Sequence, residues 1–80
     1  MQPNPYLSQI SAVEQQIAAL ESQEAQIAAQ KANYPPGDPA RISLEEREDS
    51  IMQQKSYLLQ QMANLERLSA EWERNQAQQQ

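Results

Sequence analysis

Four carboxylates that lie close together in the sequence are the first residues to test for chemistry: Glu45, Glu46, Glu48 and Asp49. On a helix, the Glu-x-x-Glu spacing places two carboxylates on adjacent turns, where their oxygens could bind a divalent metal ion. Metal sites of this kind in helical bundles also use histidine, and this chain contains none. We therefore interpret the cluster as the start of a helix, where the helix dipole favours negative charge, and predict no metal site.

Two lysines, Lys31 and Lys55, fall at positions that the heptad pattern below makes interior. A buried lysine with a lowered pKa can serve as a base or a nucleophile. No partner base, nucleophile or phosphate-binding loop accompanies these two. We interpret both as charges that pair with glutamates across a helix interface, and predict no catalytic residue, no cofactor and no small-molecule substrate.

A long amphipathic helix in the second half of the chain must position these side chains. Apolar residues recur there every seven positions, at Leu44, Ile51, Leu58, Leu65 and Trp72. This spacing places them on one face of a helix and is typical of position d in a coiled coil. Position a holds Glu48, Lys55, Met62 and Ser69, of which only Met62 is apolar. The pattern predicts a second helix over residues 43–75, followed by a polar, Gln-rich tail over 76–80.

The first half of the chain carries a matching heptad pattern that predicts a first helix over residues 6–33. A short N-terminal arm, residues 1–5, precedes it, and Asn4 followed by Pro5 is a typical helix start. The two helices are separated by a turn over residues 34–42, which contains the only glycine and three of the five prolines. The second helix could begin with Asp38 as its cap or, just after this turn, with Ser43 in a capping box, and we favour Ser43.

Because the connection is short, the two helices should run antiparallel, which predicts an all-α fold: an antiparallel two-helix coiled-coil hairpin. The register that pairs every a position with a d position places Ile17 opposite Leu58. It also places Lys31 one layer from Glu48, and Glu24 one layer from Lys55, so that opposite charges are neighbours. The predicted intramolecular seam contains Ile10, Val13, Ile17, Leu20, Ile27, Leu44, Ile51, Leu58, Met62 and Leu65.

Apolar residues also lie outside this seam, and two helices alone would leave them uncovered. They form a candidate partner interface: Ala18, Ala25, Ala28, Ala32, Met52, Leu59, Leu68 and Trp72. We expect this surface to support self-association or incorporation into a larger helical bundle or multi-copy complex. Trp72 has two open interpretations, a core cap packed on the N-terminal arm near Pro3 or an anchor for a partner.

Composition limits the other classes of partner. With a formal net charge of −5, the chain is poorly suited to neutralising phosphates, so we expect no nucleic-acid partner. No apolar run approaches the roughly 20 residues of a membrane span, and residues 1–6 lack the basic and apolar regions of a secretory signal peptide. We expect a soluble protein that is cytoplasmic or incorporated in an assembly. The Gln-rich faces are interpreted as solvated helix surface.

The sequence thus favours a non-enzymatic structural or assembly protein that acts through helix–helix packing. In outline it is similar to small assembly proteins that are helical hairpins. Secretion-needle subunits share its size and its proline-containing turn, and small virion proteins share its helical, acidic, Gln-rich character. This analogy of overall form, which no specific motif carries, implies a small subunit of a multi-copy assembly such as a virion or a secretion apparatus. The alternative is an adaptor or chaperone that binds one partner protein through its apolar face.

Overall fold

The computed structural model describes residues 2–78. Over this range the chain forms two α-helices and no strand: α1 spans Leu7–Lys31 and α2 spans Pro39–Gln78. The helices pack against each other along their length as an antiparallel hairpin, which gives a rod of 63 × 15 × 11 Å. Met1 of the predicted arm, and Gln79 and Gln80 of the predicted tail, lie outside the described residues.

The cap residue of α1 is Tyr6, which has no side-chain capping hydrogen bond, and the turn before it is held by Asn4. Its Oδ1 atom accepts a hydrogen bond from the backbone N–H of Tyr6 at 2.9 Å, and its carbonyl accepts one from Leu7 at 3.4 Å. A helix start needs such acceptors because its first N–H groups have no partner within the helix. Pro5 and Tyr6 form a turn before the first helical residue, Leu7, so α1 begins one residue later than predicted.

At its other end, α1 stops at Lys31, two residues before the predicted boundary. Asn33 and Tyr34 then donate to the carbonyls three residues before them, at 3.1 Å each, which tightens the chain into a final turn. The turn that follows is closed by a hydrogen bond of 3.1 Å from Asp38 N–H to the Pro35 carbonyl. Gly37 lies at φ +88° within it, a left-handed conformation that residues with a side chain rarely adopt.

The predicted start of α2 at residue 43 is wrong by four residues, because the helix already begins at Pro39. Asp38 is the cap: its Oδ1 atom accepts from Ala40 N–H at 2.8 Å, and its carbonyl accepts from Ile42 N–H at 3.0 Å. Pro39 suits the first helical position because it has no N–H to satisfy and its φ is already helical. The helix also continues to Gln78, so residues 76–78 of the predicted tail are helical.

The core is a single row of apolar side chains between the helices. Its buried members come equally from the two helices: Val13, Leu20, Ile27, Leu44, Ile51 and Leu58. Ile17, Met62 and Leu65 pack against this row and are half-buried. A two-helix hairpin can enclose only this one stripe per helix, which leaves most of each helix surface exposed to solvent.

Candidate functional site

Two ion pairs lie across the seam and link the helices. Lys31 Nζ lies 2.8 Å from Glu48 Oε1, and Lys55 Nζ lies 2.7 Å from Glu24 Oε1. Both pairs are the ones predicted from the heptad register, and all four side chains are half-buried. The hydrogen bond to Glu24 raises the pKa of Lys55 above its ordinary value of 10.5, with the negative charges of Glu24 and Glu21 adding to the effect while partial desolvation opposes it. Lys55 thus stays charged rather than becoming a neutral base.

Nine of the ten residues predicted to form the intramolecular seam belong to the core row or pack against it, and the tenth, Ile10, is half-buried. Six of the ten are the buried residues of the core, and the remaining four are half-buried: Ile10, Ile17, Met62 and Leu65. The half-buried residues lie toward the open end of the hairpin, where the N-terminus of α1 meets the C-terminal part of α2. The packing is therefore tightest in the half nearest the turn.

The residues of the candidate partner interface fall into two groups. The four alanines are exposed, three of them on α1 and Ala32 just after its end, and so are Met52 and Leu59, at 58% and 53% of their full surface. Leu68 and Trp72 are instead half-buried. Met52 and Leu59, one heptad apart, line a shallow groove together with Ser56 and the Lys55–Glu24 pair. We call this surface the Met52–Leu59 groove.

Trp72 lies at the open end of the hairpin, against the N-terminal arm. It lines a cleft with Gln2, Pro3 and Asn4 of the arm and with the neighbouring α2 residues Glu73, Gln76 and Ala77. This position matches the first interpretation of Trp72, a cap packed on the arm near Pro3. Whether Trp72 also anchors a partner stays a prediction.

A contact between Asn4 and Ser69 was missed by the sequence analysis, which assigned Asn4 only a capping role. Asn4 Nδ2 donates to Ser69 Oγ at 2.8 Å and to Glu73 Oε1 at 3.4 Å. Ser69 is 8% exposed and is the one buried polar residue of the described chain. The available signal was Ser69 itself, because a hydroxyl at an interior heptad position needs a hydrogen-bond partner.

Arg41 was also missed. Its Nη1 atom donates to the carbonyl of Tyr34 at 2.9 Å and to that of Lys31 at 3.5 Å, while Nε contacts Glu45 Oε1 at 3.2 Å. The last carbonyls of a helix have no partner within it and carry partial negative charge, so a cation there is stabilising. Arg41, from the first turn of α2, thus closes the C-terminal end of α1.

The four carboxylates at the start of α2 do not act as one cluster. Glu45 contacts Arg41 and Glu48 contacts Lys31, while Glu46 and Asp49 are exposed. Among residues 2–78, no three acidic side chains converge in a way that could hold a metal ion. Neither helix, over the same residues, combines the length and the apolar character required to cross a membrane.

No protein-family model, no curated protein and no solved structure matches this chain. The proposals that follow therefore rest on its own geometry.

Proposed function

We propose that this chain is a non-enzymatic structural or assembly protein, a coiled-coil hairpin that acts as a small subunit of a multi-copy assembly of the virion or secretion-apparatus kind. The observation that carries the proposal is the Met52–Leu59 groove. Its two large apolar side chains are more than half exposed. Most of the other large apolar residues of α2 face the seam or the arm instead. An apolar row beside a coiled-coil seam is suited to contact with a further helix.

The free energy gained by covering Met52 and Leu59 determines how strongly two copies can associate through the groove. Full burial of a Leu or Met side chain contributes about 1.5–3 kcal/mol, so covering the exposed half of Met52 and of Leu59 contributes about 1 kcal/mol each. In a two-fold contact both copies contribute, which gives about 4 kcal/mol from four side chains. Association of two proteins costs roughly 4–15 kcal/mol in lost freedom. The groove alone therefore supports weak, concentration-dependent association, which becomes stable only when several contacts act together.

Sedimentation velocity over a range of protein concentrations tests this proposal. The wild-type chain should be monomeric when dilute and should form larger species as its concentration rises. Leu59→Glu places a charge in the groove and should shift this association to higher concentration. Asn64→Glu is the matched control, because Asn64 is also exposed and lies on the opposite flank, in a cleft with Gln61 and Leu65.

The two variants separate assembly from a general effect of charge. If Asn64→Glu weakens association as much as Leu59→Glu does, the added charge rather than the groove is responsible, and the proposal loses its support. A wild-type chain that stays monomeric at every concentration would overturn self-assembly. If that monomer binds one partner protein through the same groove, the adaptor alternative replaces it.

A further inference from the structure

Two glutamates of α1, Glu14 and Glu21, lie along one side of the Met52–Leu59 groove. Each directly follows a buried residue of α1, and the two apolar residues of the groove each directly follow a buried residue of α2. This heptad position lies on the same flank of both helices in an antiparallel coiled coil. The pKa of Lys55, which lines the groove, agrees with this placement, because the hydrogen bond to Glu24 and then the charge of Glu21 raise it. The groove therefore has an apolar side on α2 and an acidic side on α1.

Both sides of the groove repeat with the same period. Glu14 and Glu21 are one heptad apart, which is about 10.5 Å along a helix, and so are Met52 and Leu59. The two carboxylates are exposed, and over residues 2–78 neither takes part in an ion pair. A helix that fits the groove should therefore present a small residue and a cation every seven residues.

One face of α2 has this pattern. Ala63 is followed four residues later by Arg67, and Ala70 by Arg74, so that alanine and arginine each recur after seven residues. All four side chains are exposed, and we call them the Ala–Arg strip. Within residues 2–78, the one ion pair of these arginines joins Arg67 Nη1 to Glu71 Oε1 at 3.6 Å. The strip lies on the side of α2 away from the seam, so the α1 of its own chain does not obstruct it.

We propose that the Ala–Arg strip of one copy docks in the Met52–Leu59 groove of a second copy. The alanines of the strip cover the two apolar side chains of the groove. Arg67 pairs with Glu21 of the second copy, and Arg74 pairs with its Glu14. Bonds between exposed charges are individually weak, but here two of them form in register with an apolar contact.

A single alignment of the two copies allows all of these contacts. When the two α2 helices run parallel with a shift of 11 residues, about 16 Å, both alanines reach the levels of the two apolar groove residues. Arg67 then lies within one residue of the level of Lys55, where Glu21 also lies. Arg74 lies one heptad further toward the open end, as Glu14 does, because α1 runs antiparallel to α2. In an antiparallel docking, Arg74 would instead move away from Glu14.

The contact joins two different surfaces, so each copy uses its groove once and its strip once. Such a heterologous contact closes a ring or extends into a filament. Glu66 and Glu73 border the strip, so the match lies in the spacing of individual pairs rather than in a basic surface. The inference rests on the proposed assembly function, and it identifies the surface of the neighbouring copy that occupies the groove.

Reversal of charge on each surface tests this contact by sedimentation velocity. Glu14→Lys with Glu21→Lys reverses the groove, and Arg67→Glu with Arg74→Glu reverses the strip. Each double variant alone should need a protein concentration about tenfold higher than wild type to associate, because attraction at two pairs becomes repulsion. An equimolar mixture of the two should associate like wild type, since each groove then meets a strip of opposite charge. Recovery on mixing also shows that both variants are folded.

A general effect of net charge predicts a different result. Each Glu→Lys change adds two positive charges, so the groove variant has a formal charge of −1 instead of −5, and weaker repulsion between copies would strengthen its association. Gln9→Lys with Gln16→Lys is the matched control. It places two lysines on the same helix at the same spacing, but in the clefts of the opposite flank, and should not weaken association.

Three results would overturn the strip contact: a control that weakens association as much as the groove variant, a mixture that does not recover, or charge reversals without effect. If charge reversal has no effect while Leu59→Glu still weakens association, the groove holds a different occupant and the assembly proposal stands without the strip. A wild-type chain that is monomeric at every concentration overturns both proposals, and this is measured without any variant.

Discussion

Replacement of Leu58 by alanine tests the core directly, and the next residue provides its control. Leu58 is 9% exposed and belongs to the row of six buried side chains, whereas Leu59 is 53% exposed. The two residues have the same chemistry and neighbouring positions on one helix. Any difference between their alanine variants therefore reports burial alone.

The expected cost of Leu58→Ala is about 2–3 kcal/mol, near the lower end for buried leucine. The lower end applies because Leu58 also lines an open cleft with Gln16 and Tyr57, so water and neighbouring side chains can fill part of the space left behind. Small scaffolds of this kind rarely hold more than about 3–5 kcal/mol of stability. Loss of one layer should thus remove half or more of the free energy of unfolding.

Urea denaturation followed by circular dichroism measures this difference. At about 1 kcal/mol/M for a small protein, Leu58→Ala should lower the unfolding midpoint by about 2–3 M or leave no folded baseline. Leu59→Ala should change the free energy of unfolding by no more than about 0.5 kcal/mol. The samples are kept dilute, because association would stabilise the folded state. Equal losses for the two variants, or an unchanged midpoint for Leu58→Ala, would refute the assigned core.

Three further outcomes follow from the contacts that hold the turn and the seam. Because the pKa of Lys55 is raised, its pairing with Glu24 stabilises the fold below the ordinary lysine pKa of 10.5 and is lost as the pH rises through the higher folded value. The difference in urea midpoint between wild type and Lys55→Met should therefore shrink at strongly alkaline pH, and a difference that is constant with pH would contradict this. Gly37→Ala should cost about 1–2 kcal/mol in thermal or urea unfolding, because φ +88° is unfavourable for alanine although no neighbouring atom lies within 4 Å. Arg41→Gln should cost about 0.5–1 kcal/mol by removing a charge from the C-terminal end of α1, with increased amide exchange at Tyr34 as its local signature.

The seam could be predicted from the sequence because its signal is repeated. Apolar residues every seven positions specify both the helix and its buried face, and each heptad adds to the same conclusion. The ion pairs followed from that register, since Lys31 and Glu48 fall one layer apart once the apolar layers are matched. Prediction succeeded where many residues carry one consistent pattern.

The helix boundary at the turn was harder to predict because two local signals compete there. Asp38 before Pro39 and Ser43 before Leu44 are both good caps, each worth about 1 kcal/mol. The structure uses Asp38, and this choice adds a helical turn that brings Arg41 to the carbonyl of Tyr34. That contact joins α2 to the turn that follows α1, and neither cap by itself predicts it. The contact of the arm with Ser69 was missed for the same reason.

Polar residues, rather than apolar ones, specify the register of this hairpin. A shift by one heptad would still place apolar layers opposite each other over much of the seam, because the pattern repeats. The same shift would separate Glu48 from Lys31 and Lys55 from Glu24, and would remove Ser69 from the arm. Leaving the buried hydroxyl of Ser69 without a partner would cost about 1–3 kcal/mol, whereas the described part of the hairpin has no buried side-chain polar atom that lacks a hydrogen bond. The three polar positions that weaken the apolar seam of α2 therefore select one alignment among several that the apolar layers would tolerate.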